Sequence, residues 1–131
     1  MEICNMINSS LILASVLIFG IGVVHSWLGE RRLIGPLLAP DKRRGMLEKS
    51  RFARQTLRFA WHLTTLAWWG LGAVLIALAM SPLDGHVYSV SVIIGATFLI
   101  TGLVTLLTSR GRHLAWPVFL AIAGLSVYPL V

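Results

Sequence analysis

Four long apolar stretches constrain this chain more than any other feature of its sequence. They lie at about residues 11–28, 57–80, 87–107 and 114–131. A helix that crosses a bilayer needs ~20 mostly apolar residues, and each stretch meets or approaches that length. The sequence therefore predicts an all-α membrane protein. Its 131 residues are expected to form a single domain, a bundle of four transmembrane helices.

The composition supports a membrane protein rather than a basic soluble one. Hydrophobic residues make up 56% of the chain and charged residues only 12%, whereas soluble domains average ~25% charged residues. Of the 11 Lys and Arg residues, nine lie from Arg31 to Arg58 and the others are Arg110 and Arg112. Nucleic acid is not an expected partner, because no recognition motif accompanies the net charge of +6.

The placement of these basic residues predicts the orientation. They flank the first and third connections, and the second connection, around Asp84, has none. Basic residues concentrate on the cytoplasmic side of membrane spans. We therefore expect the loop at about residues 31–56 in the cytoplasm, both termini outside, and the protein in the cell inner membrane. The short turns at 81–85 and 109–112 predict that the last three helices form an up-and-down meander.

The first connection contains two kinds of sequence. Residues 33–40 are apolar and include two prolines, which suits a segment lying in the membrane interface. From Gly45 onward the pattern predicts one helix that continues into the second span. Arg51, Arg54 and Arg58 share a face of this helix, and such a stripe suits anionic lipid headgroups. Ordinary cytoplasmic anchoring is the simpler interpretation of the same residues.

Three histidines enter the spans from the predicted cytoplasmic side. His25, His62 and His113 lie near the ends of three different helices. Imidazole is a ligand of Zn, Cu, Fe and Ni, so the leading hypothesis is a transition-metal site made by these three side chains. Glu30 is expected to be a fourth ligand or a partner that orients an imidazole. Pairing of Glu30 with Arg58 is the alternative.

Haem is the less favoured cofactor for this predicted site. Two axial imidazoles would leave His113 unused, whereas a single metal ion uses all three histidines. The same histidines also fit an internal polar cluster that fixes the register of the helices without a cofactor. Four further residues are expected to support the site: Arg58, Thr65, Trp61 and Trp116.

Other functions stay open at this point. The second hypothesis is a non-catalytic membrane subunit, or an assembly or lipid-contact module, with membrane lipids, a second copy or another membrane protein as its partner. A small-solute carrier ranks last. No acidic residue lies within the four apolar stretches, and proton-coupled transporters usually have an ionisable group there. The sequence does not decide whether the chain is an enzyme.

Two segments resemble those of a known type of membrane protein. Residues 25–30 (HSWLGE) and 58–64 (RFAWHLT) are similar to segments of an uncharacterised bacterial family of small four-helix membrane proteins. In layout, the resemblance covers the whole chain. It implies the four-helix fold and no particular activity.

Overall fold

A computed structural model describes residues 8–128, which form helices with no strand among them. The helices are α1 (Ser9–Gly29), α2 (Gly35–Leu37), α3 (Met46–Lys49), α4 (Arg51–Ala79), α5 (Gly85–Ser109) and α6 (Trp116–Val127). A π-helical turn (Glu30–Ile34) joins α1 to α2. Three helical segments are long and apolar enough to cross a membrane: Ser9–Leu37, α4 and α5. The expectation of an all-helical chain with membrane-spanning helices is thus confirmed at this level.

The fourth predicted span is represented by α6. Its 12 residues extend ~18 Å, less than the ~30 Å of a hydrocarbon core. The predicted span reached Val131, and residues 129–131 lie outside the described part of the chain, as do residues 1–7. Four complete crossings and the orientation of the termini therefore stay predictions.

Helix α1 lies at the centre of the packing. It packs along α4 and also against α6, and α5 packs mainly on α6. Although only residues 80–84 join α4 to α5, these two helices have few contacts with each other. The structure therefore departs from the predicted meander of sequential neighbours. Small residues on α1 admit the large side chains of α4, so α1 is the closer partner.

The core lies where the four long helices meet. Its largest fully buried apolar side chains are Leu11, Ile18, Leu75, Phe98 and Ile122. Large apolar side chains also cover the outer faces, where Leu66 and Ile93 are both more than half exposed. Extended apolar surface of this kind suits helices that are surrounded by lipid rather than by water.

Helix α1 continues further than the first apolar stretch. The N–H of Gly35 donates to the carbonyl of Glu30, which creates the π-helical turn, and the helix then continues to Leu37. A β-carbon at Gly35 would lie only 2.8 Å from that carbonyl oxygen, so the wide turn requires glycine. Residues 33–37 are thus helical, where the sequence predicted a segment along the interface, and Ile34 is buried.

The predicted continuous helix from Gly45 is interrupted at Ser50. The backbone of Ser50 is extended, and its hydroxyl accepts a hydrogen bond from the N–H of Ala53 at 3.1 Å. This is the geometry of a helix N-cap, which serine favours. Helix α4 therefore begins at Arg51, and its 29 residues extend ~44 Å. At that length it exceeds a ~30 Å apolar layer, and projection of its first turns into the cytoplasm stays a prediction.

Candidate functional site

Hydrogen bonds between side chains and backbone join α1 to α4 along their shared face, which we call the α1–α4 seam. Tryptophans of α4 donate to carbonyls of α1, and a serine of α1 donates to a carbonyl of α4. The bonds are Trp69 Nε1 to Phe19 O (3.3 Å), Trp61 Nε1 to His25 O (3.2 Å) and Ser15 Oγ to Gly72 O (3.0 Å). Such bonds add to close packing in holding membrane helices together.

Two glycines of α1 make room for the tryptophans of α4. A β-carbon at Gly29 would overlap the indole of Trp61, and one at Gly22 would overlap the indole of Trp69. Small residues at such positions let a neighbouring helix approach closely, and here the groups that fill the space are indole rings. The glycines therefore fix the register of α1 against α4.

A chain of polar side chains forms the end of the seam that is nearest the basic connection. The carboxylate of Glu30 binds Arg58 through Oε1 (2.9 Å from Nη2) and His62 through Oε2 (3.3 Å from Nε2). The other ring nitrogen of His62, Nδ1, lies 2.9 Å from Ser26 Oγ. Ser26 Oγ in turn lies 2.8 Å from Thr65 Oγ1. We call these five residues the polar relay.

The carboxylate of Glu30 determines where the protons of the relay lie. An ionised carboxylate only accepts hydrogen bonds, so Nε2 of His62 must carry a proton to donate to it. In a neutral imidazole, Nδ1 is then an acceptor, and Ser26 donates its hydroxyl proton to Nδ1. The hydroxyl of Thr65 can then donate to Ser26 Oγ at 2.8 Å or to the Gly22 carbonyl at 3.5 Å. The direction of donation is thus fixed from Ser26 through His62 to Glu30.

The other two predicted ligands, His25 and His113, lie outside the relay. The ring of His25 stacks on Trp61 with centroids 4.4 Å apart and 8° between planes, and its centroid is 4.9 Å from that of Trp68. Its Nε2 atom is buried and has no hydrogen-bond partner among residues 8–128. His113 is exposed, and its Nδ1 accepts from the N–H of Ala115 at 3.3 Å. The three histidines therefore have three different environments.

The described part of the chain contains no group of three or more His, Cys, Asp or Glu side chains placed to hold a metal ion. Glu30 instead takes the roles that the sequence gave as alternatives, pairing with Arg58 and orienting His62. Of the supporting residues, Trp61 and Thr65 lie in the seam. Nε1 of Trp116 is buried without a described hydrogen-bond partner. The transition-metal and haem hypotheses stay predictions.

A pocket of about 620 Å³ lies next to the relay. We call it the arginine pocket, and its lining residues are Leu38, Arg43, Arg51, Arg54, Gln55, Arg58 and Phe59. The three arginines predicted to face lipid headgroups therefore line one cavity, and Arg43 joins them from the connection. Arg58 belongs to both features, because it lines the pocket and binds Glu30.

The arginine pocket has an excess of positive charge. Among residues 8–128, the only carboxylate in an ion pair is that of Glu30. Two of the arginines are held by backbone carbonyls, since Arg43 donates to Leu38 (2.7 Å) and Arg54 donates to Leu47 (2.8 Å). A guanidinium has five N–H donors, so these bonds orient the side chains and leave donors for a ligand.

Ser26 of the relay and Arg43 of the pocket are among the members that were not predicted from the sequence. Ser26 precedes Glu30 by four residues, so the two share a face of α1, and this spacing is a signal that sequence reasoning could have used. Arg43 lies in the irregular segment before α3. The path of such a segment cannot be read from periodicity, so no local signal indicates that Arg43 reaches the arginines of α4.

Comparisons with known protein families, curated proteins and solved structures find no match to this chain. The family resemblance of residues 25–30 and 58–64 therefore stays a prediction. Function has to be inferred from the geometry and charge of the seam, the relay and the pocket.

Proposed function

We propose that this protein is a four-span inner-membrane protein, with both termini outside, that acts as a lipid-contact module. Its arginine pocket lies at the cytoplasmic surface and binds the phosphate of an anionic phospholipid. The observation that carries this proposal is the convergence of Arg43, Arg51, Arg54 and Arg58 on one cavity. The simpler interpretation, separate cytoplasmic anchors, does not require the four side chains to meet.

The chemistry of the pocket fits a phosphorylated headgroup. The planar guanidinium group binds phosphate oxygens through paired hydrogen bonds, and several arginines together neutralise its charge. The volume of about 620 Å³ falls within the ~300–1,000 Å³ of small-molecule sites. Leu38 and Phe59 add apolar surface to the lining, which suits the glycerol and the start of the acyl chains.

The position of the pocket along α4 also supports a lipid ligand. Arg51, Arg54 and Arg58 occupy the first turns of α4, the end of the helix that we place beyond the apolar layer. By the positive-inside rule this end faces the cytoplasm, where the membrane surface carries anionic lipids. Each basic residue near such a surface contributes ~1 kcal/mol to lipid binding. Within residues 8–128, the pocket arginines without a carboxylate partner are Arg43, Arg51 and Arg54. Together they would thus contribute ~3 kcal/mol to lipid binding.

The other hypotheses have less support. A metal or haem protein needs converging ligands, and the described histidines are bonded or stacked elsewhere. A solute carrier needs a route through the bundle. Indole rings fill the α1–α4 seam at Gly22 and Gly29, so this face offers no such route.

The proposal is tested by direct lipid binding. A short-chain phosphatidylglycerol would be titrated into the protein in an uncharged detergent, with affinity measured by calorimetry and phosphatidylcholine as the neutral comparison. The test variant is Arg51→Gln/Arg54→Gln. The control is Lys49→Gln/Arg112→Gln, which removes the same charge from two exposed residues that do not line the pocket.

The two variants are expected to behave differently. Loss of two charge-assisted hydrogen bonds to the phosphate, at ~1.5 kcal/mol each, removes ~3 kcal/mol of binding, which corresponds to ~150-fold weaker affinity. The control should stay within ~3-fold of the native protein, and phosphatidylcholine should bind far more weakly than phosphatidylglycerol. Equal losses in the two variants would mean that surface charge alone attracts the lipid, and would refute a pocket.

A further inference from the structure

The polar relay has the composition and geometry of a nucleophile–base–acid set. Ser26 Oγ is 2.9 Å from His62 Nδ1, and His62 Nε2 is 3.3 Å from Glu30 Oε2. A hydroxyl, an imidazole and a carboxylate joined in this order activate the serine in many unrelated hydrolases.

We propose that Ser26 is a nucleophile that cleaves acyl esters, with His62 as its general base and Glu30 as the residue that positions His62. The substrate class is an anionic glycerophospholipid whose phosphate occupies the arginine pocket. The choice of substrate rests on the proposed function, whereas the reactivity of Ser26 does not.

The proton positions agree with this role. Glu30 holds the Nε2 proton of His62, so Nδ1 is free to accept the proton of Ser26. In the common serine hydrolases Nε2 accepts the serine proton and the carboxylate binds the Nδ1 proton, whereas in this relay Nδ1 is the acceptor and the carboxylate binds the Nε2 proton. Both nitrogens of imidazole accept and donate protons, so the chemistry is unchanged. The hydroxyl of Thr65 lies 2.8 Å from Ser26 Oγ, beside the oxygen that attacks.

The relay is within reach of a lipid. The side chains of His62 and Glu30 are 40% and 34% exposed, so the imidazole does not lie in a sealed core. His62 follows Arg58 by one helical turn, which places it ~6 Å further along α4. In a glycerophospholipid, the acyl ester carbonyls lie a few bonds from the phosphate, on the side of the acyl chains. A phosphate held at Arg58 therefore brings an ester towards Ser26.

The reaction balances with water as the only other reactant. Ser26 Oγ bonds to the carbonyl carbon while its proton passes to His62 Nδ1. The bond from that carbon to the glycerol oxygen then breaks, and this oxygen takes the proton from His62. Water next attacks the acyl-serine and gives its proton to His62. The Ser26–acyl bond breaks, the proton returns to Oγ, and a fatty acid leaves together with the lysophospholipid.

The reactivity of Ser26 is tested with a fluorophosphonate probe, which bonds to an activated serine oxygen as fluoride leaves. The native protein in detergent is incubated with the probe, and the labelled residue is identified by mass spectrometry of peptides. The variants are Ser26→Ala and His62→Gln, with Glu30→Gln to test positioning. Ser89→Ala is the matched control, because within residues 8–128 Ser89 bonds only to the Gly85 carbonyl of its own helix. Release of fatty acid from phosphatidylglycerol vesicles is measured in parallel.

The expected label is on Ser26, with a loss of ~100-fold or more in labelling rate in His62→Gln and no change in Ser89→Ala. Glu30→Gln should slow labelling and change its dependence on pH, which a purely structural role would not do. If Ser26→Ala fails to fold, Ser26→Cys tests the same position with iodoacetamide. A folded protein that takes no label, or labels Ser26 equally well without His62, overturns the proposal. Labelling without phosphatidylglycerol binding would refute the proposed lipid function alone.

Discussion

Substitution of Gly29 by alanine tests the packing of α1 on α4. The new β-carbon would overlap the indole of Trp61, so one of the two helices has to move. Overpacking of a filled site costs ~1–3 kcal/mol. Displacement of the indole also weakens its bond to the His25 carbonyl, worth ~0.6 kcal/mol, and its stacking on the His25 ring, worth ~0.5–1.5 kcal/mol. Alanine recovers up to ~1 kcal/mol through helix propensity.

We therefore expect a net destabilisation of ~1–4 kcal/mol in Gly29→Ala. The assay is the apparent melting temperature in detergent at a fixed scan rate, where each kcal/mol corresponds to ~2–8 °C. Gly20→Ala is the matched control on the same helix, because a β-carbon there meets no atom within 4 Å. In a Trp61→Leu background, Gly29→Ala should destabilise the protein much less than it does in the native protein, because the indole that the β-carbon would overlap is gone. If Gly29→Ala melts like Gly20→Ala, the described seam is wrong.

Three further predictions follow from other parts of the molecule. Hydrogen bonds from the N–H of Val87 and then that of His86 lower the pKa of Asp84 below its usual 3.8. The stabilisation of α5 by this carboxylate is therefore present above pH 3.8 and is lost as the pH falls through the lowered pKa. Asp84→Ala should remove this pH dependence of the melting temperature in acid. His25→Ala should lower the free energy of unfolding by ~1–3 kcal/mol through two lost aromatic contacts, whereas His113→Ala should melt like the native protein. Equal losses of stability in the two variants would contradict the different environments of these histidines. Reporter fusions should place Lys42 in the cytoplasm and Asp84 outside, and the reverse would refute the orientation.

The features that follow helical periodicity could be predicted from the sequence. Apolar stretches of ~20 residues predicted the long helices, and a spacing of three or four residues puts Arg58, His62, Thr65 and Trp69 on one face of α4. That face packs on α1 in the structure. Periodicity is a local property of a helix, so it specifies which side chains share a face.

The choice of neighbours is not a local property, and there the sequence was less informative. Short turns predicted that α4 packs beside α5, but α1 fits α4 more closely because glycines admit its indoles. The π-helical turn at Glu30 includes a hydrogen bond from the N–H of Gly35 to the Glu30 carbonyl, and the spacing of apolar residues does not signal it. Convergence of three histidines on a metal was inferred from similar depth along separate helices, and it stays a prediction.

The most direct test of the proposed lipid contact is native mass spectrometry of the protein released from its own membrane. The native protein is predicted to retain one anionic phospholipid and to prefer it over zwitterionic lipid. The Arg51→Gln/Arg54→Gln variant should lose this lipid, and the Lys49→Gln/Arg112→Gln variant should keep it. Retention of the same lipids by all three proteins, or of zwitterionic lipid alone, would contradict the assignment of the arginine pocket.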